Sequence, residues 1–206
     1  MDILVTDPVT GRTTGLAKTV RRVLRTLENS RVPYCVVGAT ALAVRGLPRM
    51  TRDLDLVVMV DDAEDAIAAL ERAKLRPETP PGPAGDREPM VVFLDPATGV
   101  EVDLLIAAGD PEATVCEEAP RATVFGTTAP VATLEHLLLL YLYSNQPKHL
   151  GDFAAIVASG RADLAAAERA LSGMHPEMLD EWRRRLEEAR RPLPSPPRPP
   201  ARKRRR

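Results

Sequence analysis

The sequence predicts an α/β (α+β) fold, in which a small mixed β-sheet core with flanking helices is followed by a helical C-terminal half. Short apolar runs bounded by glycine, proline and aspartate alternate with helical patterns up to residue 131. From residue 132 to residue 190, apolar residues recur at helical spacing. The length of 206 residues suits one domain. We therefore expect an α/β core over 1–131 and a helical region over 132–190, packed on that core.

The first half reads as alternating helices and strands. Apolar spacing predicts an amphipathic helix over 16–29, and the apolar run 34–37, closed by Gly38, predicts a buried strand. The next segments predict a short helix over 39–45, a buried strand over 54–60 and a surface helix over 62–74. Five prolines and two glycines make 77–89 a loop.

A hairpin and a run of helices complete the order. Segments 90–94 and 100–106 predict two strands, because the turn between them holds Asp, Pro and Gly. A further strand is expected over 122–125. Helices are expected over 134–144, 148–158, 164–171 and 176–190.

Charge is distributed unevenly along the chain. The sequence has 28 basic and 29 acidic residues, but residues 190–206 hold eight of the basic ones and no acid. The acidic body argues against a folded surface that wraps duplex DNA, and an aromatic content of 3% argues against a base-stacking surface. Residues 191–206 are mostly proline and arginine, which predicts a disordered basic tail.

The cysteines and the apolar segments indicate the compartment. Cys35 and Cys116 form no CxxC pattern, so we expect two buried thiols and neither a disulfide framework nor a zinc ribbon. The start of the chain lacks the pattern of a signal peptide, and the longest apolar stretch, 137–143, is too short to span a bilayer. We expect a cytoplasmic protein with no membrane partner.

Three aspartates are the candidate chemical centre. Asp53 and Asp55 lie two residues apart on a predicted strand, so their carboxylates share a face and can bind divalent cations together. Asp103, on a neighbouring predicted strand, offers a third carboxylate, and Glu101 is the fallback candidate on the same strand face.

A glycine turn precedes the aspartates. Gly38, Ala39 and Thr40 lead from a strand into a helix, where exposed backbone amides can hold phosphate groups. Three carboxylates together with such a turn predict a site for magnesium and a nucleotide phosphate.

These motifs resemble the nucleotidyltransferase fold of the DNA polymerase beta superfamily. They are most similar to the bacterial nucleotidyltransferases related to abortive-infection (AbiEii-like) toxins of toxin-antitoxin pairs. The segments that carry the resemblance are Gly38-Ala39-Thr40-Ala41-Leu42, Arg49-Met50-Thr51-Arg52-Asp53-Leu54-Asp55 and, on the later strand, Asp103.

The resemblance implies an enzyme that moves a nucleoside monophosphate from an NTP to a hydroxyl of RNA, particularly the tRNA 3′ end, or of a protein. It implies Mg²⁺ or Mn²⁺ as cofactor and an antitoxin as a partner. The implied metal ligands and catalytic residues are Asp53, Asp55 and Asp103. The implied nucleotide-binding residues are Gly38, Ala39, Thr40, Arg49, Thr51, Lys148 and Asp152.

Some positions depart from the family pattern and leave an alternative open. Tyr141 stands where the family has a lysine, His149 stands for the first aspartate of a Lys-Asp-x-x-Asp motif, and Ala39 lacks a hydroxyl that Thr40 could replace. A catalytically inactive binding or regulatory protein with the same fold is therefore the second hypothesis. Lys148 and Asp152 also have the spacing of a helix-surface ion pair.

The three histidines show no metal-ligand spacing. We expect His136, His149 and His175 to lie on helix surfaces.

Overall fold

A computed structural model of the chain, which describes residues 14–78 and 90–191, contains a five-stranded mixed sheet. Its strands are β1 (Cys35–Val36), β2 (Asp53–Met59), β3 (Arg76–Pro77), β4 (Met90–Asp95) and β5 (Val100–Ala107). They are arranged in the order β1-β2-β5-β4-β3, where β2 and β5 run parallel and the other neighbours antiparallel. A separate ladder joins β6 (Arg121–Val124) and β7 (Thr127–Pro130).

Helices precede, interrupt and follow the sheet. They are α1 (Gly15–Ser30), α2 (Gly38–Val44), α3 (Ala63–Arg72), α4 (Glu112–Glu118), α5 (Leu134–Leu142), α6 (Pro147–Ser159), α7 (Leu164–Met174) and α8 (Leu179–Arg190). Short 3₁₀ helices cover Val60–Asp62 and Pro176–Met178. The mixed sheet with its flanking helices confirms the fold class that the sequence predicts.

The sequence patterns did not predict several features of the secondary structure. Pro77, expected in a loop, lies in β3, and helix α4 has a single buried residue, Val115, so no apolar periodicity marks it. Phe125, expected in a strand, has φ 47° and forms the turn between β6 and β7 with Gly126. Pro176, expected to start an α-helix, starts a 3₁₀ turn before α8.

Other expectations fall outside the described residues. The N-terminal start, most of the proline-rich loop and the basic tail beyond residue 191 belong to this group. Within the residues that are described, no helix combines the length and the apolar character needed to cross a membrane.

The core is built on the apolar face of α1 and on the buried strands. Thr14 caps α1 by accepting a hydrogen bond from the amide of Ala17, which satisfies one of the free N–H groups at the helix start. The helix then buries the side chains at the spacing that the sequence predicts, namely Leu16, Val20, Val23, Leu24 and Leu27. Cys35 is fully buried as expected, whereas Cys116 is only half-buried because α4 lies at the edge of the core.

A buried carboxylate attaches α1 to the β4–β5 turn. Asp95, 1% exposed, accepts hydrogen bonds from the hydroxyls of Thr19 and Thr98 and from the amide of Ala97, and it forms an ion pair with Arg22. A buried charge is tolerated only when it is paired and hydrogen-bonded in this way. The contact fixes the hairpin that delivers β5 to the middle of the sheet.

The helical half packs through an aromatic pair and a buried arginine. The rings of Phe153 on α6 and Trp182 on α8 meet edge to face at 5.7 Å. Arg185, 4% exposed, donates hydrogen bonds to the carbonyls of Tyr141 and Ser144 where α5 ends. These bonds join α8 to the C-terminal end of α5 and fix the chain between α5 and α6.

The expectation that His136 lies on a helix surface is wrong. His136 is 8% exposed and forms a capping box with Thr133 at the start of α5. Burial lowers the pKa of its imidazole. The signal was present in the sequence as a threonine three residues before a polar side chain.

We expect Asp95→Ala to lower the free energy of unfolding by about 3 kcal/mol, because it removes several hydrogen bonds to a buried charged group and the ion pair with Arg22. Urea denaturation measures this change. The control Glu71→Ala, at an exposed helical position, should change stability by less than about 0.5 kcal/mol. Equal effects of the two variants would contradict the role of Asp95.

Candidate active site

The three candidate aspartates come together on one face of the sheet. The parallel register places Asp55 opposite Asp103, while Asp53 precedes Asp55 by two residues on β2. One carboxylate oxygen from each lies within 4.8 Å of the others. Glu101, the fallback candidate, is exposed and lies outside this group. The arrangement gives hard oxygen ligands of the kind that Mg²⁺ and Mn²⁺ prefer.

The intervening side chains anchor the two strands from the other face. Leu54 and Leu56 on β2, like Val102 and Leu104 on β5, are fully buried. Because side chains alternate along a strand, this burial forces the aspartates to the opposite face. Burial of these leucines and valines therefore fixes the direction in which the carboxylates point.

Crowding of negative charge changes the acidity of the site. Burial, followed by the charges of Asp53 and Asp103, raises the pKa of Asp55 to about 6. Burial and the charge of Asp53 also raise the pKa of Asp103. Lys148 opposes both shifts, so its ammonium group lies close enough to act on the carboxylates. The repulsion favours any cation that can neutralise the group.

Gly38 packs directly against the aspartates. It adopts φ +61°, and a Cβ atom at this position would overlap the carboxylate of Asp55. Only glycine combines this left-handed conformation with such a close approach. Gly38 therefore brings the backbone at the start of α2 next to the carboxylate face.

The neighbours of Gly38 offer backbone groups only. The side chains of Ala39 and Thr40 are buried, and the Thr40 hydroxyl has no hydrogen-bond partner within the described residues. Neither residue lines the cavity beside the aspartates. Thr40 therefore does not replace the hydroxyl that Ala39 lacks, and any phosphate contact here comes from main-chain amides.

The loop before β2 is tied to both the site and the helical half. Arg49 donates from Nε to both carboxylate oxygens of Asp152, at 2.9 and 3.0 Å, and Asp152 is 6% exposed. The hydroxyl of Thr51 donates to the carboxylate of Asp53. Asp152 is thus held by Arg49 across the fold, and Lys148 is left to face the aspartates.

A cavity of about 320 Å³ opens beside the aspartates. Its wall includes Gly38, Asp55 and Asp103 from the sheet region and Lys148 from α6. The residues that the sequence analysis did not assign to a site are Val37, Leu56, Met90, Leu105, Glu112, Leu140, Tyr143, Ser144 and Gln146. Most of them are apolar and carry no chemical motif, so only the fold reveals their position.

His149 and Tyr141 form one wall of this cavity. Their rings stack with centroids 4.8 Å apart, and Nδ1 of His149 lies 2.6 Å from the Ser144 hydroxyl. The expectation of a helix-surface role for His149 is therefore wrong. Tyr141, at the family's lysine position, is 4% exposed, and burial together with Asp152 and Asp55 raises the pKa of its phenol. Its bulk helps to shape the cavity, and the nearby cation comes from Lys148.

Comparison with known proteins identifies the fold. No protein-family model and no curated protein matches this chain. The crystal structure of ANT(2")-Ia with adenylyl-2"-tobramycin has a TM-score of 0.54 and 17% identity, and the match covers 84% of this chain and 99% of that one. The solution structure of the same antibiotic-resistance factor gives 0.54 and 15%, covering 84% and 91%. The chain has the nucleotidyltransferase fold.

A further solved structure falls at a lower level of similarity. The lincomycin-bound lincosamide adenylyltransferase LnuA has a TM-score of 0.47 and 14% identity, and the match covers 68% of this chain and 94% of that chain. At identities of 15% and 17%, the likeness to ANT(2")-Ia shows the fold alone, and a fold does not by itself determine a function. The similarity to abortive-infection toxins stays a prediction.

We expect Gly38→Ala to destabilise the protein by at least about 1–2 kcal/mol, the usual penalty for a left-handed residue with a Cβ. The overlap with Asp55 adds to this penalty. Gly99→Ala is the matched control, since Gly99 has φ +69° but nothing lies within 4 Å of its Cβ position. Thermal or urea unfolding should show a larger loss for Gly38→Ala, and equal losses would contradict the close packing.

We expect Asp55 to make stability fall as pH rises. Its pKa is about 6 in the folded protein against an ordinary 3.8, so between these values the native state binds more protons than the unfolded state. In the absence of metal, Asp55→Asn should therefore gain on the order of 2 kcal/mol relative to wild type between pH 4 and pH 7. Asp61→Asn, at an exposed carboxylate, should show no such trend.

Proposed function

We propose that this chain is a metal-dependent nucleotidyltransferase that moves a nucleoside monophosphate from an NTP to a hydroxyl group. The observation that carries the proposal is the convergence of Asp53, Asp55 and Asp103 within 4.8 Å, with Gly38 packed against Asp55. The nucleotidyltransferase fold of the structural neighbours supports it.

The three carboxylates fit a divalent metal. They are hard oxygen donors that repel one another, and burial together with the charges of Asp53 and Asp103 raises the pKa of Asp55, so the ionised form of the group is unfavourable without a cation. Asp53, Asp55 and Asp103 would hold Mg²⁺ or Mn²⁺. When bound, such ions stabilise negative charge on the attacking and leaving oxygens of a phosphoryl transfer.

Positive groups next to the carboxylates would bind the triphosphate. The first amides of α2 point away from their own helix and have no acceptor within it. Lys148 adds an ammonium group that faces Asp55 and Asp103, and Arg49 lies near enough to lower the pKa of Asp55. We assign Gly38, Ala39, Thr40, Lys148 and Arg49 to phosphate binding. Thr51 and Asp152 would hold Asp53 and Arg49 in place.

Asp103 is the candidate base for the acceptor. Burial and the charge of Asp53 raise its pKa, which makes its carboxylate a better proton acceptor. The acceptor hydroxyl gives its proton to Asp103, its oxygen forms a bond to the α-phosphorus, and the bond from that phosphorus to the pyrophosphate oxygen breaks. Pyrophosphate leaves, and the acceptor carries the nucleoside monophosphate.

The identity of the acceptor is a finer proposal. The motif resemblance favours RNA, particularly the tRNA 3′ end, or a protein hydroxyl, and with it the toxin role in a toxin-antitoxin pair. The structural neighbour ANT(2")-Ia, seen with adenylyl-2"-tobramycin, adds a small hydroxyl compound to these candidates. The cavity supports a small acceptor, as argued below.

A non-catalytic binding protein is the second candidate, favoured by Tyr141 at the lysine position. Its buried phenol brings no positive charge to the nucleotide phosphates. Lys148 weighs against this alternative, because it supplies a cation beside the carboxylates from the next helix.

The test is transfer of label from each of four α-labelled NTPs, with Mg²⁺ or Mn²⁺, to total RNA, to protein and to hydroxyl-bearing small molecules. We expect Asp53→Asn and Asp55→Asn to lower the rate by on the order of a hundredfold, since each removes a charged ligand at the reacting phosphate. Asp61→Asn, an exposed aspartate with no place in the site, should retain full activity.

Omission of the metal, or addition of a chelator, should abolish transfer. Folded wild-type protein that transfers no label and gains no thermal stability from any NTP with metal would favour the binding protein instead.

A further inference from the structure

The cavity continues past the aspartates along β5. Leu105 lies two residues beyond Asp103 on the same strand face, about 7 Å farther along the strand. Met90 on β4 stands opposite Leu105 in the antiparallel register, and Leu140 and Tyr143 line the wall from the helical half. This end of the cavity is therefore apolar, whereas Lys148 and Gly38 flank the end at the aspartates.

One carboxylate lines the apolar end. Glu112, the first residue of α4, is half-buried in the cavity wall and forms no ion pair with the described residues. Burial raises its pKa, as does the charge of Asp110, while a hydrogen bond from its own backbone amide and the charge of His175 oppose the shift. His175 is itself paired with Glu177, at 3.0 Å, so it does not neutralise Glu112. Its own amide donates one hydrogen bond to this carboxylate, but no cation is paired with it, and a partly buried charge in that position is unfavourable unless a ligand supplies the opposite charge.

The place of Glu112 at the start of a helix does not explain why its carboxylate faces the cavity. The helix dipole stabilises a carboxylate in the first turn whether it is exposed or partly buried, so the dipole alone does not require that Glu112 face the cavity. Glu112 instead faces a cavity with Leu105 and Met90. Apolar walls with one charged group are typical of a site that orients a small ligand.

We propose that this end of the cavity is the acceptor subsite, and that the acceptor is a small hydroxyl compound with an aliphatic ammonium group. Glu112 holds the ammonium, the apolar wall covers the carbon skeleton, and the hydroxyl lies at Asp103. The assignment of the ligand as an acceptor rests on the proposed function.

The cavity disfavours an RNA acceptor at this subsite. A volume of about 320 Å³ is near the lower end of small-molecule sites. The carboxylates of Asp110, Glu112 and Glu177 all act on Tyr143 at the cavity wall, and they would repel backbone phosphates. The same charges attract an ammonium ion.

The ammonium preference can be measured without nucleotide. The full chain, labelled with ¹⁵N and kept in excess Mg²⁺, is titrated with n-hexylammonium and with 1-hexanol, which differ chiefly in charge. We expect the ammonium to bind tighter by on the order of tenfold, with shifts at α4 and the end of β5. Glu112→Gln should remove most of that preference. Glu117→Gln, at an exposed residue of the same helix, should keep it.

Two results would overturn the subsite. The first is equal binding of n-hexylammonium and 1-hexanol to the wild-type protein. The second is a preference for the ammonium that survives in Glu112→Gln but is lost in Asp55→Asn. The second result would place the ammonium at the aspartates. The transfer assay then compares 6-amino-1-hexanol with 1,6-hexanediol. Ammonium binding without any transfer contradicts the proposed function alone, whereas transfer without an amine preference contradicts the subsite alone.

Discussion

Repulsion among three half-buried carboxylates is the constraint around which this fold is organised. Asp55 and Asp103 stand opposite each other in a parallel pair, where backbone hydrogen bonds fix their separation whatever their charge. The unfavourable free energy is offset elsewhere, by burial of the apolar side chains that alternate with them and by the helices packed on the sheet. The sheet thus holds an excess of negative charge on one face, which a bound cation would offset, and under the proposed function that cation would in turn attract the phosphates.

The backbone at Gly38 depends on the same constraint. A Cβ atom there would overlap the carboxylate of Asp55, so the helix start can lie this close to the carboxylate group only because residue 38 is glycine. The loop after α2 completes the arrangement from the other side, where Thr51 contacts Asp53 and Arg49 contacts Asp152. One short segment of sequence therefore sets the geometry of this side of the aspartates, and the helical half holds it in place through Asp152.

The sequence predicted those parts of the fold that have a local signal. Alternation along β2 placed Asp53 and Asp55 on one face, and a hairpin turn located β5 with Asp103. The cavity wall had no such signal, because its residues come from α4, α5 and α6, and their meeting depends on tertiary contacts such as those of Arg185. The sequence predicted a surface position for His149 for the same reason. Its ring stacks on Tyr141 and so joins two helices across a loop, and the spacing of apolar residues does not specify the course of that loop.

The cavity separates charge along its length. Lys148 and Arg49 act on the aspartates at one end, while Asp110, Glu112 and Glu177 surround Tyr143 at the other. Once a divalent cation offsets the charge of the three aspartates, the first end would attract a nucleotide triphosphate under the proposed function, while the second end would repel it and attract an ammonium ion. On that proposal, two substrates of opposite charge would occupy one small cavity without competing, with Asp103 between them. An uncharged or acidic acceptor would gain nothing from this division, so the charge pattern would favour an acceptor that carries an ammonium group.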